Sequence, residues 1–328
     1  MPEIVVATVV LAILFDISNG YNDAANAIAT VVSTRVLSPA QAVLLAGLMN
    51  VLGAFLTTAV AKTIGKGIVD PAAITERVVM AALALGFIWN TLMTVIGLPV
   101  SASHALIGGL IGASVAHGGY HILNIAGLKK IFLSLVISPL FGIIFGFLFM
   151  SFLLRLYGRL PGSTINKYFG KLQILSASFM AFSHGSNDAQ KVMGIITLSL
   201  VSGGYLHTVE VPFWVIVICA LAMGFGTAMG GWKVIKTMGV SMLKLEPVHG
   251  FAAETSATAV ILGASHLGLP VSTTHVIATA IMGVGSTKRL TAVRWGIGKK
   301  IVNAWIATLP ACALFAWVIS LILHSLLG

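Results

Sequence analysis

Two short polar motifs, each present twice, interrupt an otherwise apolar sequence. The first is an Asn-Asp pair after a glycine, as GYND at residues 20–23 and as GSND at residues 185–188. The second is a GLPVS segment that ends in histidine, at residues 97–104 and again at 268–275. Carboxylate, amide and hydroxyl oxygens suit hard cations such as Na⁺. Hydroxyl and N–H groups at helix N-termini also bind oxyanions. The motifs therefore predict a site that holds a cation and an oxyanion together.

The candidate ligands come from both copies of both motifs. The predicted cation ligands are Asn22, Asp23, Asn26 and Asp188. Carboxylates repel an oxyanion unless a cation lies between them, so cations bound at the two aspartates would create the field in which the anion binds. No arginine lies in these polar segments, so hydroxyl and amide groups are the expected anion donors. The predicted oxyanion ligands are Ser101, Ser103, Asn187, Gln190, Ser272, Thr273 and Thr274.

A purely structural explanation of Asp23 and Asp188 stays open beside the functional one. An Asn-Asp pair before an alanine-rich stretch is also a signal for a helix N-cap. However, an ionised carboxylate near the centre of a bilayer costs about 2.5–3.5 kcal/mol, and a serine caps a helix without that cost. The presence of the aspartate in both copies of the motif favours a function.

The composition places the chain in a membrane. Of its 328 residues 58% are hydrophobic and only 9% are charged, whereas soluble domains carry about 25% charged residues. The net charge of +10 arises from Lys and Arg in the breaks between apolar runs, as expected for loops that face anionic lipids. We therefore expect a multi-pass protein in contact with the lipid bilayer and no nucleic-acid partner.

Twelve apolar stretches predict an all-α polytopic membrane protein. The stretches that begin at 23, 101, 189 and 271 are too short to span comfortably, and such interrupted segments at matching positions of two halves indicate broken or re-entrant helices that meet at mid-membrane. The stretches lie at about 4–19, 23–34, 39–61, 75–98, 101–117, 130–157, 172–186, 189–201, 211–230, 249–267, 271–284 and 297–325.

The order of the repeated motifs indicates an internal duplication. The Asn-Asp motifs are 165 residues apart, and the GLPVS motifs are 171 apart, as are Pro139 and Pro310. This divides the chain into a first repeat at 1–160 and a second at 161–328, which together form one membrane domain. The two repeats differ in which of their loops are basic, and because basic loops stay cytoplasmic, the repeats should be inverted. Both termini are then predicted outside, with the linker around Arg159 to Lys167 inside.

The quoted motifs resemble those of the inorganic phosphate transporter (PiT) family over essentially the whole chain. GYNDAANA, GSNDAQKV and the paired GLPVS segments carry the resemblance, with further similarity at GWKVIKTMG, residues 231–239, and GFAAETSA, residues 250–257. The resemblance implies a carrier that moves phosphate with Na⁺ or H⁺, with Asp23 and Asp188 as cation ligands and Glu254 important for transport. The chain departs from the commoner GANDVANA form at Tyr21 and Ala24, and its second copy has Gln190 and Lys191 where a strict repeat has Ala25 and Asn26.

The sequence thus predicts a sodium-coupled phosphate importer in the inner (plasma) membrane. It is not expected to be an enzyme or to use a cofactor other than Na⁺ as coupling ion, and a homo-oligomer is compatible with the sequence. A proton-coupled carrier, a metal-phosphate symporter or a sulfate permease would have a similar sequence. From other classes, a passive anion channel and an intramembrane aspartyl protease also stay open, although each aspartate here lies among amides rather than beside a second carboxylate.

Overall fold

The computed structural model describes residues 3–327, with side chains through residue 322, and this part of the chain is all-α. Short 3₁₀ turns and one π-helical stretch, Thr237–Ser241, join some of the helices. The helices are α1 (Glu3–Ser33), α2 (Pro39–Ala54), α3 (Ala59–Gly67), α4 (Glu76–Ile96), α5 (Ala102–Gly118), α6 (Ile125–Tyr157), α7 (Gly162–Ser202), α8 (Phe213–Met229), α9 (Trp232–Lys236), α10 (Pro247–His266), α11 (Thr273–Ser286) and α12 (Trp295–Leu327).

The six helices α1–α6 correspond in order to the six helices α7–α12. In the first repeat, α2 and α3 form a bent pair with an angle of 72° between the helices. The corresponding pair in the second repeat is α8 and α9, where α9 is extended by the π-helical stretch, and its angle is 64°. Residues 76 and 247, which begin α4 and α10, are 171 positions apart, the same offset as the GLPVS motifs. The division of the chain at residue 160 stays a prediction.

The two repeats pack by exchanging equivalent helices. α5 packs against α12 while α11 packs against α6, and α2 packs against α7 while α8 packs against α1. α1 and α7 cross in antiparallel directions. Thr34, near the end of α1, contacts Gln173 near the start of α7, and the earlier residue Asp23 of α1 lies beside the later residue His184 of α7. The first helix of one repeat therefore runs opposite to the first helix of the other, which confirms the inverted repeat.

Four helices, α1, α4, α6 and α12, are long and apolar enough to cross a membrane, and the two bent pairs raise the number of candidate spans to 6 among the described residues. Their outer surfaces carry large apolar side chains, such as Phe141, Phe145 and Phe152 on α6. In water these side chains would be an aggregation surface, and in a bilayer they face lipid.

The interruptions lie partly where the sequence predicts them. The chain is extended between α4 and α5 and between α10 and α11, close to the predicted starts at 101 and 271. The predicted breaks at 19–23 and 186–189 are wrong, because α1 and α7 are continuous through Asp23 and Asp188. The break within 39–61 was not predicted; it lies at residues 55–58.

The glycine of each Asn-Asp motif permits close helix packing. A Cβ atom at Gly20 would lie 2.6 Å from the Met223 carbonyl oxygen of α8, and one at Gly185 would overlap the Asn50 carbonyl of α2. Small residues of this kind let helix backbones approach within a membrane. The glycines thus bring the polar segments of α1 and α7 deep into the helix bundle.

Candidate functional site

The GLPVS motif ends one helix and begins the next. Gly97 has φ +82° and terminates α4, and Gly268 has φ +64° after α10. Pro and Val follow in an extended segment. The side chains of Ser101 and Ser272 then cap α5 and α11 by accepting the His104 and His275 N–H groups at 3.2 and 3.3 Å. Each motif thereby places a helix N-terminus inside the protein, where backbone N–H groups favour an anion.

Asp23 and Asp188 face the first turn of α11. The Thr274 hydroxyl donates to Asp23 Oδ1 and the Thr273 hydroxyl to Asp188 Oδ2, both at 3.1 Å. All four residues are at most 1% exposed. Because both carboxylates lie in mid-helix, they do not cap α1 or α7, and the structural explanation by N-capping is wrong.

Ser103 and Thr274 are equivalent residues of the two repeats, and each reaches into the other repeat. The Ser103 hydroxyl donates to the Val271 carbonyl at 3.3 Å, and the Thr274 hydroxyl lies 3.2 Å from the Val100 carbonyl. Asn26 adds to the cluster from α1, since its Nδ2 lies 3.3 and 3.1 Å from the hydroxyls of Thr273 and Thr274. The structure thus brings the predicted residues Asp23, Asn26, Asp188, Ser103, Thr273 and Thr274 into one cluster.

His184 lies between the two aspartates and was not predicted. Its Nε2 is 3.7 Å from Asp23 Oδ2 and 3.5 Å from Asp188 Oδ2, while its Nδ1 is 2.7 Å from Asn50 Oδ1. Ligand atoms of Asp23, His184 and Asp188 all lie within 4.8 Å of one another. His184 precedes Asp188 by one helical turn, and this i, i+4 spacing is the signal that places both on one face of α7.

Lys191 also points into the cluster. Its Nζ donates to Asp188 Oδ1 at 2.6 Å, to the Ser103 hydroxyl at 2.6 Å and to the Val271 carbonyl at 2.7 Å. A lysine in a membrane helix either faces a polar interior or extends to the membrane surface. At 2% exposure Lys191 faces the interior. It follows Asp188 by three residues, so the helical period places it on the same face.

Three predicted oxyanion ligands have other partners in this structure. Ser101 and Ser272 serve as helix caps, as described. Gln190 of α7 caps the first turn of α3, because its Oε1 accepts the N–H groups of Val60 and Ala61 at 2.9 and 3.3 Å. Its amide group donates to the Ser186 carbonyl. As ligands of an anion, these residues would first have to give up those bonds.

Asn22 and Asn187 attach their helices to equivalent places in the two repeats. Asn22 donates to Thr94 Oγ1 at 2.7 Å and to the Asn90 carbonyl, near the end of α4. Asn187 donates to Ser265 Oγ at 3.0 Å, near the end of α10, and its Oδ1 accepts the N–H of Val271. The two asparagines differ in one respect, because Oδ1 of Asn22 has no hydrogen-bond donor and is free to act as a ligand.

Glu254 belongs to a separate polar pocket, which we call the Glu254 pocket. Its carboxylate accepts hydrogen bonds from Thr30 Oγ1 at 2.5 Å, from Gln173 Nε2 at 3.2 Å and from the Ser176 hydroxyl. These contacts join α10 to α1 and α7. Glu254 is fully buried. The residue for which the sequence predicts a role in transport therefore holds three helices together.

Comparisons with known proteins agree with this arrangement. A profile of the phosphate transporter family matches residues 19–161 and again 158–316. The chain belongs to the phosphate transporter family. The second match repeats the first, in line with the duplicated motifs. The carrier resemblance inferred from the motifs is confirmed, and the protein is a phosphate transporter rather than an enzyme, so the intramembrane protease alternative is wrong.

Individual relatives support the same assignment. The transporter is 43% identical over 322 residues to the Bacillus subtilis protein named "Probable low-affinity inorganic phosphate transporter", with 97% of this chain and 96% of that protein covered. A Rhizobium meliloti protein of the same name is 45% identical over 315 residues, with 95% and 94% covered. A solved structure named "The sodium-dependent phosphate transporter" matches with a TM-score of 0.88 and 26% identity, over 98% of this chain and 99% of that one.

Proposed function

We propose that the transporter imports inorganic phosphate in symport with Na⁺ at the cluster formed by α1, α7 and the N-termini of α5 and α11. Asp23, with the oxygens of Asn26 and Asn22, is the cation ligand of the first repeat, and Asp188 is the second carboxylate. Ser103, Thr273 and Thr274 are the phosphate ligands, with the first-turn N–H groups of α5 and α11 as further donors. Asn187 holds the segment that carries them.

The observation that carries this proposal is the bonding of Thr273 and Thr274 to the two aspartates. A hydroxyl that donates to a carboxylate can turn to phosphate once a cation takes its place on the carboxylate. Cation binding and anion binding are then linked, and each tightens the other by the same factor. The similar solved structure is that of a sodium-dependent phosphate transporter, which supports Na⁺ as the coupling ion.

The test is uptake of radiolabelled phosphate into proteoliposomes at fixed pH. An inward Na⁺ gradient should accelerate uptake and drive phosphate above its equilibrium level, while a K⁺ gradient of the same size should not. Uptake that follows an imposed pH gradient and ignores Na⁺ would show proton coupling instead. Competition by unlabelled sulfate tests the anion, and we expect none at a tenfold excess over phosphate.

A metal-phosphate complex is a second candidate substrate, because of the position of His184. Two carboxylates and an imidazole within 4.8 Å form a mixed N/O ligand set that suits divalent metals better than Na⁺. Uptake of phosphate that requires Mg²⁺ or Mn²⁺, with the metal accumulating in step with phosphate, would favour this candidate. His184→Asn should then abolish metal uptake, whereas a sodium symporter should keep phosphate uptake in this variant.

We further propose that the protein lies in the plasma membrane with both termini outside and with the linker between α6 and α7 inside. The support is the group of basic residues in and next to that linker, Arg155, Arg159, Lys167 and Lys171. Single cysteines at the exposed positions Glu3 and Arg159 test it, because the native Cys219 and Cys312 are buried. A membrane-impermeant thiol reagent added outside should label the variant Glu3→Cys and spare Arg159→Cys. Labelling of both from the same side would contradict the proposed orientation.

A further inference from the structure

The two Asn-Asp motifs differ at the position three residues after the aspartate. The 165-residue offset that aligns Asp23 with Asp188 aligns Asn26 with Lys191. One repeat therefore has a neutral amide where the other has an ammonium group. Both side chains lie on the same helical face as their aspartate and both are at most 2% exposed.

Lys191 Nζ is surrounded by oxygen atoms of three kinds. They are the Asp188 carboxylate at 2.6 Å, the Ser103 hydroxyl at 2.6 Å and the Val271 backbone carbonyl at 2.7 Å. A carboxylate, a hydroxyl and a carbonyl are also the oxygen ligands that proteins offer to hard cations. The ammonium group thus occupies a position that would suit a bound Na⁺.

The first repeat offers the same three kinds of oxygen at the equivalent place. Asp23 Oδ1, the Thr274 hydroxyl and the Val100 carbonyl correspond to Asp188, Ser103 and Val271, and the Thr274 hydroxyl lies 3.1 and 3.2 Å from the other two. No ammonium group reaches them among the described ion pairs. In addition, the buried Oδ1 of Asn26 has no hydrogen-bond donor, so an acceptor oxygen is free where the second repeat has the lysine.

We infer that Lys191 is a tethered cation that permanently fills one of two equivalent cation sites, so that only the Asp23 site binds a free ion. This inference rests on the proposed sodium coupling. A tethered ammonium group supplies the local positive field for phosphate but does not cross the membrane with it. The transporter therefore couples each phosphate to one sodium ion fewer than a protein in which both sites bind Na⁺.

The decisive variant is Lys191→Asn. It gives the second motif an asparagine three residues after its aspartate, as in the first motif. It removes the ammonium group and supplies an amide oxygen in its place. We expect this variant to bind one additional Na⁺ and to take up one more Na⁺ per phosphate, measured by radiolabelled sodium and phosphate fluxes in the same proteoliposomes. The Hill coefficient for Na⁺ should rise by about one, and uptake should become more strongly dependent on membrane potential because one more charge moves.

Two variants serve as controls. Lys191→Met has a similar length but offers no oxygen, so it should bind Na⁺ at the second site more weakly than Lys191→Asn and show a smaller rise in flux ratio. Thr8→Val changes a buried side chain of α1 that bonds only to its own helix, at the Ile4 carbonyl. It should leave the ratio unchanged.

The outcomes separate this inference from the proposed function. If wild-type uptake does not depend on Na⁺, the proposed function fails. If wild-type uptake depends on Na⁺ and Lys191→Asn transports with an unchanged Na⁺ to phosphate ratio, the inference is wrong. An unchanged ratio with phosphate affinity more than tenfold weaker at saturating Na⁺ would identify Lys191 as an anion ligand, which also overturns it.

A binding measurement keeps the inference testable if Lys191→Asn folds but transports poorly. Because a ligand that binds only the folded protein raises its stability with concentration, the melting temperature of the detergent-purified protein reports Na⁺ binding. The rise in melting temperature with Na⁺ should be steeper in Lys191→Asn than in wild type. Equal slopes would contradict the inference.

Discussion

The two repeats build the same helices, yet outside the central cluster they bury their charges at non-equivalent positions. The first repeat has Asp16 on α1, where the second has Ala181 on α7, and the second repeat has Glu254 on α10, where the first has Leu83 on α4. All four side chains are fully buried. The fold therefore accepts a small or apolar residue at each place, and neither carboxylate is needed to form its helix.

The two carboxylates also differ in their partners. Glu254 accepts hydrogen bonds from three side chains, whereas the hydrogen-bonding neighbour of Asp16 is the Cys219 thiol, a weak donor. A buried carboxyl group with only a weak partner destabilises a fold, while a well-bonded one connects the elements that bond it. Each repeat has thus acquired its own polar feature on a shared scaffold, and substitutions that make the repeats more alike test what each feature contributes.

The largest expected difference concerns the two central aspartates. Asp188→Asn leaves the Lys191 ammonium group buried without its carboxylate, and breaking a buried ion pair in this way costs about 3–5 kcal/mol. Asp23→Asn leaves no ammonium group behind. Both variants should lose concentrative phosphate uptake, but only Asp188→Asn should also lower the melting temperature strongly. The double variant Asp188→Asn with Lys191→Asn should recover stability, and equal melting temperatures for the two single variants would contradict the asymmetry.

A smaller effect is expected from Glu254→Gln. The substitution keeps the shape of the side chain but turns an amide N–H₂ toward the donors of Thr30, Gln173 or Ser176, which leaves one buried donor unpaired at about 1–3 kcal/mol. Phosphate uptake should fall about tenfold, with the Na⁺ concentration for half-maximal uptake changed less than twofold, because the central cluster is intact. A large change in Na⁺ affinity, measured by uptake at varied Na⁺, would place Glu254 among the cation ligands.

Asp16→Ala should stabilise the protein, whereas Asp188→Asn and Glu254→Gln should destabilise it. It replaces a buried carboxyl group, whose partner is the weak Cys219 thiol donor, by the residue that the second repeat has at the equivalent place. The melting temperature of the purified protein should rise, by the equivalent of about 1–2 kcal/mol. The matched substitution Ala181→Asp should lower it. If Asp16→Ala melts at a lower temperature than wild type, the contact between Asp16 and Cys219 stabilises the fold.

The smallest effect is expected where the repeats are most alike. Ser134 Oγ donates to the Pro270 carbonyl at 2.7 Å, and Trp305 Nε1, 171 positions later, donates to the Pro99 carbonyl at 3.0 Å. Each bond holds the GLPVS segment of the other repeat. Ser134→Ala and Trp305→Phe should each cost about 0.5–1.5 kcal/mol, with uptake reduced less than tenfold. Uptake assays on the two variants side by side test the equivalence.

The duplication and the helix starts at the GLPVS motifs can be predicted because glycine, proline and serine act on the local backbone. The continuity of α1 and α7 through the Asn-Asp motifs could not be predicted in this way. Asn22 and Asn187 suggest helix caps, since their side chains compete for nearby backbone groups, but in the fold they bond to α4 and α10 instead. The direction of Lys191 and the capping of α3 by Gln190 depend on which helix lies opposite, and no local pattern encodes that.

The antiparallel crossing of α1 and α7 has an energetic consequence. If the two halves were identical, exchanging their conformations would convert an inward-facing protein into an outward-facing one of equal free energy, and the empty carrier would spend half its time in each. The unequal halves remove that degeneracy, and a difference of about 1.4 kcal/mol already shifts the ratio tenfold. The Glu254 pocket, which joins α10 to α1 and α7 where the equivalent position of α4 has Leu83, is one structural difference that removes this degeneracy.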